Sequence, residues 1–222
     1  MASPEREKVT RSFFKTGPGE YSEGDKFLGI RIPDLRSLLK KADAISLKEA
    51  LTLLRSEWHE ERFTALLLLE RRFEHAEEES VREEIVKAYL ANTRWVNNWD
   101  LVDTSAPTIL GAWLLPRKRS VLDELVRSEN LWERRIAIVA TQTLIRAGEF
   151  RETLQLTERL FGDPEDLMHK ACGWMLREVG KMDRNILISF LENHAPRMPR
   201  TMLRYAIERF PDQERRVWLA LR

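Results

Sequence analysis

Two residues that could act on a substrate stand four positions apart in the segment Trp99-Asp100-Leu101-Val102-Asp103. In a helix, Trp99 and Asp103 lie on one face, one turn apart. Arg135 follows Trp99 by 36 residues and Trp174 follows Arg135 by 39. Both intervals match the length of a helical-pair repeat, so the four side chains are expected to line one wall of a helical array. A packed core has no use for the Asp and the Arg, which makes this wall a candidate site.

Helical patterns run through almost the whole sequence that must position these residues. Residues 60–73 and 131–145 carry apolar side chains behind charged starts, and residues 167–179 and 200–210 look similar. No segment shows sustained alternation of apolar and polar residues, so no sheet is expected. Intervals of 30 to 39 residues link Arg62, Trp99, Arg135, Trp174 and Arg204. The sequence therefore predicts an all-α, HEAT-like helical-repeat solenoid, and an irregular helical bundle with accidental spacing stays open.

The chain is expected to form one solenoid domain over residues 1–222. An N-terminal helix and a glycine-rich loop (residues 16–29) occupy about residues 1–30, and helical repeats fill about 31–222. Ser46 and Ser80 precede good helix formers and are predicted N-caps. No linker divides the chain.

Composition limits the class of protein. Hydrophobic residues make up 43% and charged residues 33% of the chain, a balance typical of globular proteins. No apolar run reaches the ~18 residues of a membrane span, and no signal-peptide pattern is present. The single cysteine, Cys172, suits inert packing in a reducing compartment. We therefore expect a cytoplasmic protein that needs no membrane.

Charge is distributed unevenly along the chain. The net charge is +1, but residues 171–222 carry +4 and residues 51–90 carry −4. Such segregation could place a basic face against a polyanion, or it could be scatter on solvated helices. The histidines lack metal-ligand spacing and no phosphate-binding glycine loop is present, so neither a metal nor an organic cofactor is expected.

Each candidate residue also has an ordinary structural interpretation. Asp103 could be a surface acid or a cap before Thr104, with a local break at Pro107. Arg135 could be solvated or form an internal ion pair, and Arg177-Glu178 could be a surface pair. Tryptophans on helices are most often core residues, and this is the expectation for five of them, namely Trp58, Trp95, Trp113, Trp132 and Trp218.

Four segments together resemble a known family. Residues 27–36, 98–103, 131–138 and 170–178 are similar, in order, to motifs of the HEAT-like-repeat alkylpurine DNA glycosylases. The resemblance implies a C-shaped solenoid whose concave face holds duplex DNA. It also implies hydrolytic excision of cationic N3- and N7-alkylated purines, without flipping of the damaged base. An array that clasps duplex DNA needs no partner subunit, so a monomer is expected.

The resemblance assigns roles to individual residues. Trp99 and Trp174 match tryptophans that contact the sugar and backbone of the damaged nucleotide, and Asp103 matches a carboxylate beside the anomeric carbon. Arg135 matches an arginine that holds a nearby phosphate. The other implied DNA-binding residues are Arg177, Lys170 and Arg31. Residues 16–26 depart from the pattern of the best-known member, and the family also contains DNA binders that do not excise bases.

The chemistry is plausible from the residues themselves. An alkylated purine is a good leaving group, and its departure leaves oxocarbenium character on the sugar. An ionised Asp103 would stabilise that charge and orient water, and indole faces favour cations. No lysine is placed as a Schiff-base nucleophile, so a monofunctional glycosylase is expected. The open alternatives are a DNA-structure-binding relative without excision activity and a HEAT-like scaffold for a protein partner.

Overall fold

The fold was taken from a computed structural model that describes residues 2–39 and 45–221, apart from the side chain of Leu38. Helices cover 71% of the chain, and no strand occurs in the described ranges. This confirms the predicted all-α helical repeat class. Residues 40–44, which belong to the predicted repeat region, lie outside the described residues.

The chain divides into two compact units, Met1–Ile109 and Leu110–Arg222. The single solenoid domain and its C shape therefore stay predictions. The helices of the first unit are α1 (Pro4–Phe14), α2 (Ile32–Leu39), α3 (Leu47–Leu54), α4 (His59–His75), α5 (Glu79–Leu90) and α6 (Trp99–Ala106). Those of the second are α7 (Ala112–Leu114), α8 (Ser120–Leu125), α9 (Leu131–Arg146), α10 (Arg151–Arg159), α11 (Asp166–Met182), α12 (Arg184–His194), α13 (Arg200–Ala206) and α14 (Asp212–Ala220).

Each unit is built around one long apolar helix or helix pair. In the first unit α4 packs against α2, α3, α5 and α6, and its run Ala65–Leu69 is buried. In the second unit α11 packs against α9, α12 and α13. Gly173 of α11 allows a close approach, because a Cβ there would lie 2.4 Å from the carbonyl oxygen of Met202. In the part of the chain that is described, no helix is both long and apolar enough to cross a membrane.

Helix starts follow the sequence signals in part. Ser46 caps α3 in a capping box with Glu49, as predicted. The prediction for Ser80 was wrong, because α5 begins at Glu79 and Ser80 lies inside its first turn. Beyond α6 the chain stays helical through a π-helical segment, Pro107–Gly111, so Pro107 changes the helix type rather than ending it. Proline has no N–H to donate, which favours such a change.

Two segments 72 residues apart fold in the same way. Their match shows which residues are equivalent between repeats, and it differs from the predicted spacing. Arg62 and Arg134 each donate from Nη1 to the carbonyl oxygens five and six residues earlier. Each also pairs with a buried aspartate, Asp25 or Asp163. The partner of Arg62 is thus Arg134, and the predicted match to Arg135 was wrong by one residue. The reason is that Arg62 and Arg134 each bind the carbonyl oxygens of the loop before their helix. The spacing of residues along the chain does not reveal this role.

The five tryptophans expected in the core are mostly half-buried. Trp132 alone among them is buried, at 8% exposed, while the other four keep part of the indole at the surface. Cationic side chains cover three of these indoles: Lys26 over Trp58, Arg94 over Trp95, and Arg117 over Trp113. Cation–π contact therefore replaces burial at these positions.

Candidate functional site

Helix α6 presents Trp99 and Asp103 on one partly exposed face. Both side chains are half-buried, whereas the residues between and behind them are buried: Asp100, Leu101, Val102, Ser105 and Ala106. The helix begins at Trp99 because the side-chain oxygen of Asn98 accepts a hydrogen bond from the Trp99 backbone N–H at 2.8 Å. The predicted pairing of an indole and a carboxylate on one helical face is confirmed by this arrangement.

The indole of Trp99 is held by aromatic side chains from α1. The ring of Phe14 stacks on it, with centroids 5.4 Å apart and an interplanar angle of 26°. The ring of Phe13 meets it edge-on at 5.8 Å and 66°. These contacts fix the plane of the indole, since aromatic pairs prefer offset-stacked and edge-to-face geometries.

The Asp103 carboxylate lies close enough to the buried Tyr89 hydroxyl to affect its pKa. Burial raises the pKa of the Tyr89 hydroxyl well above its ordinary value, and the charges of Glu70 and Asp103 add to that rise. The Tyr89 hydroxyl also forms a 3.0 Å hydrogen bond with Ser105 of α6. Asp103 therefore lies at the edge of the core and not in free solvent. At the edge of the core, a carboxylate interacts more strongly with a nearby cation than it does in water.

A buried cluster of charges, made of Asp25, His59, Arg62 and Asp100, ties the glycine-rich loop to α4 and α6. His59 Nε2 lies 2.8 Å from Asp100 Oδ2, and His59 Nδ1 lies 3.7 Å from Asp25 Oδ2. Arg62 Nη2 donates to Asp25 Oδ1 at 2.7 Å. Two carboxylates face two cationic groups, so the cluster is neutral overall when His59 is protonated.

The protonation states of this cluster follow from its geometry. Burial alone would lower the pKa of His59, but the charge and hydrogen bond of Asp100, aided by Asp25, raise that pKa to about 9. Burial would raise the pKa of Asp25, yet the nearby His59 imidazole and the charge of Arg62 hold that pKa below its usual range. His59 is therefore an imidazolium at neutral pH.

Glu60 fastens the end of the same loop. Its carboxylate accepts backbone hydrogen bonds from Leu28 at 2.8 Å, Gly29 at 2.8 Å and Ile30 at 3.2 Å. Gly29 has φ +68°, and a Cβ at this position would lie 2.5 Å from the carbonyl oxygen of Ser3. Only glycine fits where the loop passes the start of α1.

In the second unit, α11 carries a partly exposed stripe of Lys170, Trp174, Arg177 and Glu178. The indole N–H of Trp174 donates to Glu178 Oε1 at 3.1 Å. Glu178 also binds Lys181 at 2.7 Å. These residues thus share one face of α11, while the approach of this face to Trp99 and Asp103 stays a prediction.

Arg135 on α9 is a buried arginine, with only 5% of its surface exposed. Its Nη1 donates to the carbonyl oxygen of Leu167, at the start of α11, at 2.7 Å. Nearby, Cys172 is fully buried, and burial raises the pKa of its thiol despite the charge of Arg135, which confirms the inert packing predicted for it. The phosphate contact of Arg135 stays a prediction.

The three other predicted DNA-binding cations are paired with carboxylates. Arg31 binds Asp34 through two 3.0 Å hydrogen bonds, which raise the pKa of the guanidinium. Lys170 lies 2.8 Å from Asp166, and Arg177 pairs with Glu208. A phosphate at any of these cations would compete with an internal acid, at a cost that is small for exposed pairs.

The buried cluster is the part of the site that the sequence did not reveal. His59 looked like one of four scattered histidines, and Arg62 like a repeat marker. The available signal was the run of charged residues at 57–62, directly before the apolar part of α4, together with Asp25 and Asp100. Their wide separation along the chain hid the contact.

The partly exposed faces can stabilise positive charge. On α6 a half-buried carboxylate stands one turn from an indole, and on α11 an indole stands among cations and acids. A carboxylate at the rim of a core favours a developing cation, and indole faces bind cations and C–H groups. Each of these two faces, taken by itself, therefore suits the binding of a positively charged group.

Comparisons with known proteins give a consistent result. The chain matches a structure described as a predicted DNA alkylation repair enzyme from Enterococcus faecalis, with a TM-score of 0.72 and 19% identity, over 96% of this chain and 98% of that one. At that identity the likeness shows the fold. No curated protein matches the sequence significantly. The sequence model of the family described as DNA alkylation repair enzyme matches residues 1–210. The chain belongs to the DNA alkylation repair enzyme family.

Proposed function

We propose that this protein is a DNA glycosylase that hydrolyses the N-glycosidic bond of cationic N3- and N7-alkylated purines in duplex DNA. Membership of the family supports a role in DNA repair. The observation that carries the finer proposal is the shared face of Trp99 and Asp103 on α6, with the carboxylate at the edge of the core.

Asp103 is the proposed catalytic residue. As the cationic base departs, positive charge develops on the sugar, and the Asp103 carboxylate stabilises it and orients the attacking water. The base leaves as a neutral purine, and the water oxygen forms the new bond to the anomeric carbon while its proton is released. The product is an abasic site in an intact strand, because the mechanism uses no lysine nucleophile.

The other residues bind and orient the substrate in this proposal. Trp99 and Trp174 pack against the sugar and backbone of the damaged nucleotide, so the base need not be flipped into a pocket. Arg135 holds a phosphate beside the lesion, and Arg177, Lys170 and Arg31 bind flanking phosphates after releasing their internal acids. The proposed enzyme acts as a monomer, without a cofactor.

A single substitution tests the role of Asp103. We expect Asp103→Asn to slow single-turnover release of N7-methylguanine from a duplex by about a hundredfold or more, because the charge that stabilises the sugar is lost. Duplex binding is expected to persist. The matched control is Asp212→Asn on α14, whose side chain is 86% exposed, and it should leave the rate unchanged.

The rival functions give different results in the same assay. If Asp103→Asn excises at the wild-type rate, the catalytic role of Asp103 is wrong. If the wild type binds DNA with a steep dependence on salt but releases no base, the protein is a DNA-structure-binding relative. If it ignores DNA even at low salt, the protein-scaffold interpretation holds.

A further inference from the structure

A buried histidine lies where the equivalent segment of the second unit has a leucine. Arg62 and Arg134 bind the carbonyl oxygens of the loop before their helix in the same way. Three residues before each arginine is the first residue of that helix, which is His59 in α4 and Leu131 in α9. His59 is 3% exposed, whereas Leu131 is half-buried and apolar. This arrangement of loop and helix therefore does not require a histidine.

His59 connects α4 to the first turn of α6. Its Nε2 lies 2.8 Å from Asp100 Oδ2, and the other oxygen of that carboxylate accepts a hydrogen bond from the Leu101 N–H at 2.9 Å. Asp100 is 6% exposed and follows Trp99 directly, and Asp103 lies three residues further along the same helix. A shift of the imidazole would therefore displace the part of α6 that carries Trp99 and Asp103.

The plane of the imidazole ring is fixed by aromatic neighbours. The ring stacks on Phe27, with centroids 4.7 Å apart and an interplanar angle of 30°, and its centroid lies 4.9 Å from that of Phe14. The ring of Phe14 also stacks on the indole of Trp99. His59 therefore supports the start of α6 in two ways, directly through the Asp100 carboxylate and indirectly through the Phe14 ring.

The stability of the fold does not explain the choice of histidine at this position. His59 Nδ1 is buried without a hydrogen-bond partner within residues 2–39 and 45–221, since Asp25 Oδ2 is 3.7 Å away. A buried N–H without a partner costs free energy. Apolar residues of similar volume often stabilise a fold as well as a buried ion pair does. A polar contact that departs from the best packing, next to the face of α6 that carries Trp99 and Asp103, is typical of a functional site.

We propose that His59 is a positioning residue of the proposed reaction, which holds the first turn of α6 through Asp100 and so sets the place of the Asp103 carboxylate. His59 itself touches no substrate. A small displacement of a catalytic group lowers the rate strongly, because the reacting groups must be closely aligned. The inference rests on the proposed glycosylase function and deepens it, since it assigns a role to a buried residue behind the substrate-contacting face.

The test measures single-turnover excision of N7-methylguanine from a duplex by His59→Leu, which introduces the residue type found at the start of α9. The rate at saturating enzyme should fall by about tenfold or more, because the Asp103 carboxylate is displaced. The enzyme concentration for the half-maximal rate should change less than about threefold, since the substrate-contacting residues are unchanged. The control is Ile85→Ala, which removes a fully buried side chain from the core of the same unit and should leave the rate of the folded protein unchanged.

A second background separates positioning from a general loss of structure. In Asp103→Asn the carboxylate that His59 positions is absent, so the further change His59→Leu should lower the rate less than about twofold. A merely structural effect would lower the rate by the same factor in both backgrounds. Because His59→Leu leaves the Asp100 carboxylate buried without its cationic partner, His59→Leu is also combined with Asp100→Asn. This double variant should show the same loss of rate as His59→Leu alone.

The outcomes distinguish this inference from the proposed function. If the wild type excises and the His59 variants keep its rate, or lose the same factor with and without Asp103, His59 is not a positioning residue and the glycosylase proposal stands. If circular dichroism shows that neither His59 variant folds, the pair is structural and the inference is overturned. If the wild type releases no base, the glycosylase proposal fails and this inference fails with it.

Discussion

At the scale of single residues, the proposed chemistry depends on where α6 places Trp99 and Asp103. Their spacing predicted a shared face, and the helix confirmed it, because a separation of four residues fixes the geometry once the segment is helical. The sequence could not predict the rings of Phe13 and Phe14 that hold the indole, since those come from a helix more than 80 residues earlier.

Glu70 on α4 is a buried carboxyl group that lowers the stability of the fold at neutral pH. Burial raises the pKa of its carboxyl to about 8, despite the charge of Arg36. Its Oε1 is buried and accepts no hydrogen bond within the described part of the chain. At pH 7 the native state therefore holds a proton that the unfolded state releases.

This predicts the effect of Glu70→Gln on stability. The free energy of unfolding of the wild type should fall as pH rises from about 4.5 to about 8, because the unfolded chain ionises first. Glu70→Gln removes this loss and should be more stable at pH 7 by about 1 kcal/mol or more. Urea unfolding at several pH values measures it. Glu84→Gln, at an exposed position of α5, should show no such gain. If Glu70 is ionised in the native state, the wild type will not lose stability over this pH interval and Glu70→Gln will not gain it.

At the scale of elements, the buried cluster of charges is what attaches the glycine-rich loop to the helices. The glycines of residues 16–29 predicted a loop, but they did not predict that this loop packs against α4 and α6. The reason is that Asp25 meets Arg62 and His59, while His59 meets Asp100 of α6. Contacts between residues so distant along the chain are not visible in a local pattern, and the corrected repeat register at Arg62 and Arg134 has the same origin.

The cluster predicts a pH dependence of stability. The pKa of His59 is about 9 in the native state and near 6.5 when unfolded. Its ion pairs therefore contribute fully below pH 6.5, and this contribution should be lost as pH rises towards 9. A loss of about 2 kcal/mol is expected in the free energy of unfolding over this interval, measured by urea unfolding.

Two variants check this assignment. His59→Gln should be less stable at pH 6 and should lose the part of the dependence between pH 6.5 and 9 that His59 causes, which leaves only the fall due to Glu70 that ends near pH 8. His75→Gln changes an exposed histidine at the end of the same helix and should keep it. An unchanged dependence in His59→Gln would show that another group titrates.

At the scale of the whole molecule, much of the fold was predictable and the assembly of the site was not. Helical periodicity predicted the all-α class, because each helix buries one apolar face. The pairing of Arg31, Lys170 and Arg177 with acids was not predicted, because their partners depend on tertiary packing. These pairs occupy three of the predicted DNA-binding cations, and together with the small net charge they predict modest non-specific affinity for DNA.

The central claim is that the intact protein breaks an N-glycosidic bond. The most direct measurement incubates the wild type with a duplex containing one N7-methylguanine and quantifies the released base by mass spectrometry, together with abasic sites and strand breaks. We expect free N7-methylguanine and abasic sites in equal amounts, with strands that stay intact until treated with alkali. A duplex that is bound at low salt but yields no free base would contradict the claim.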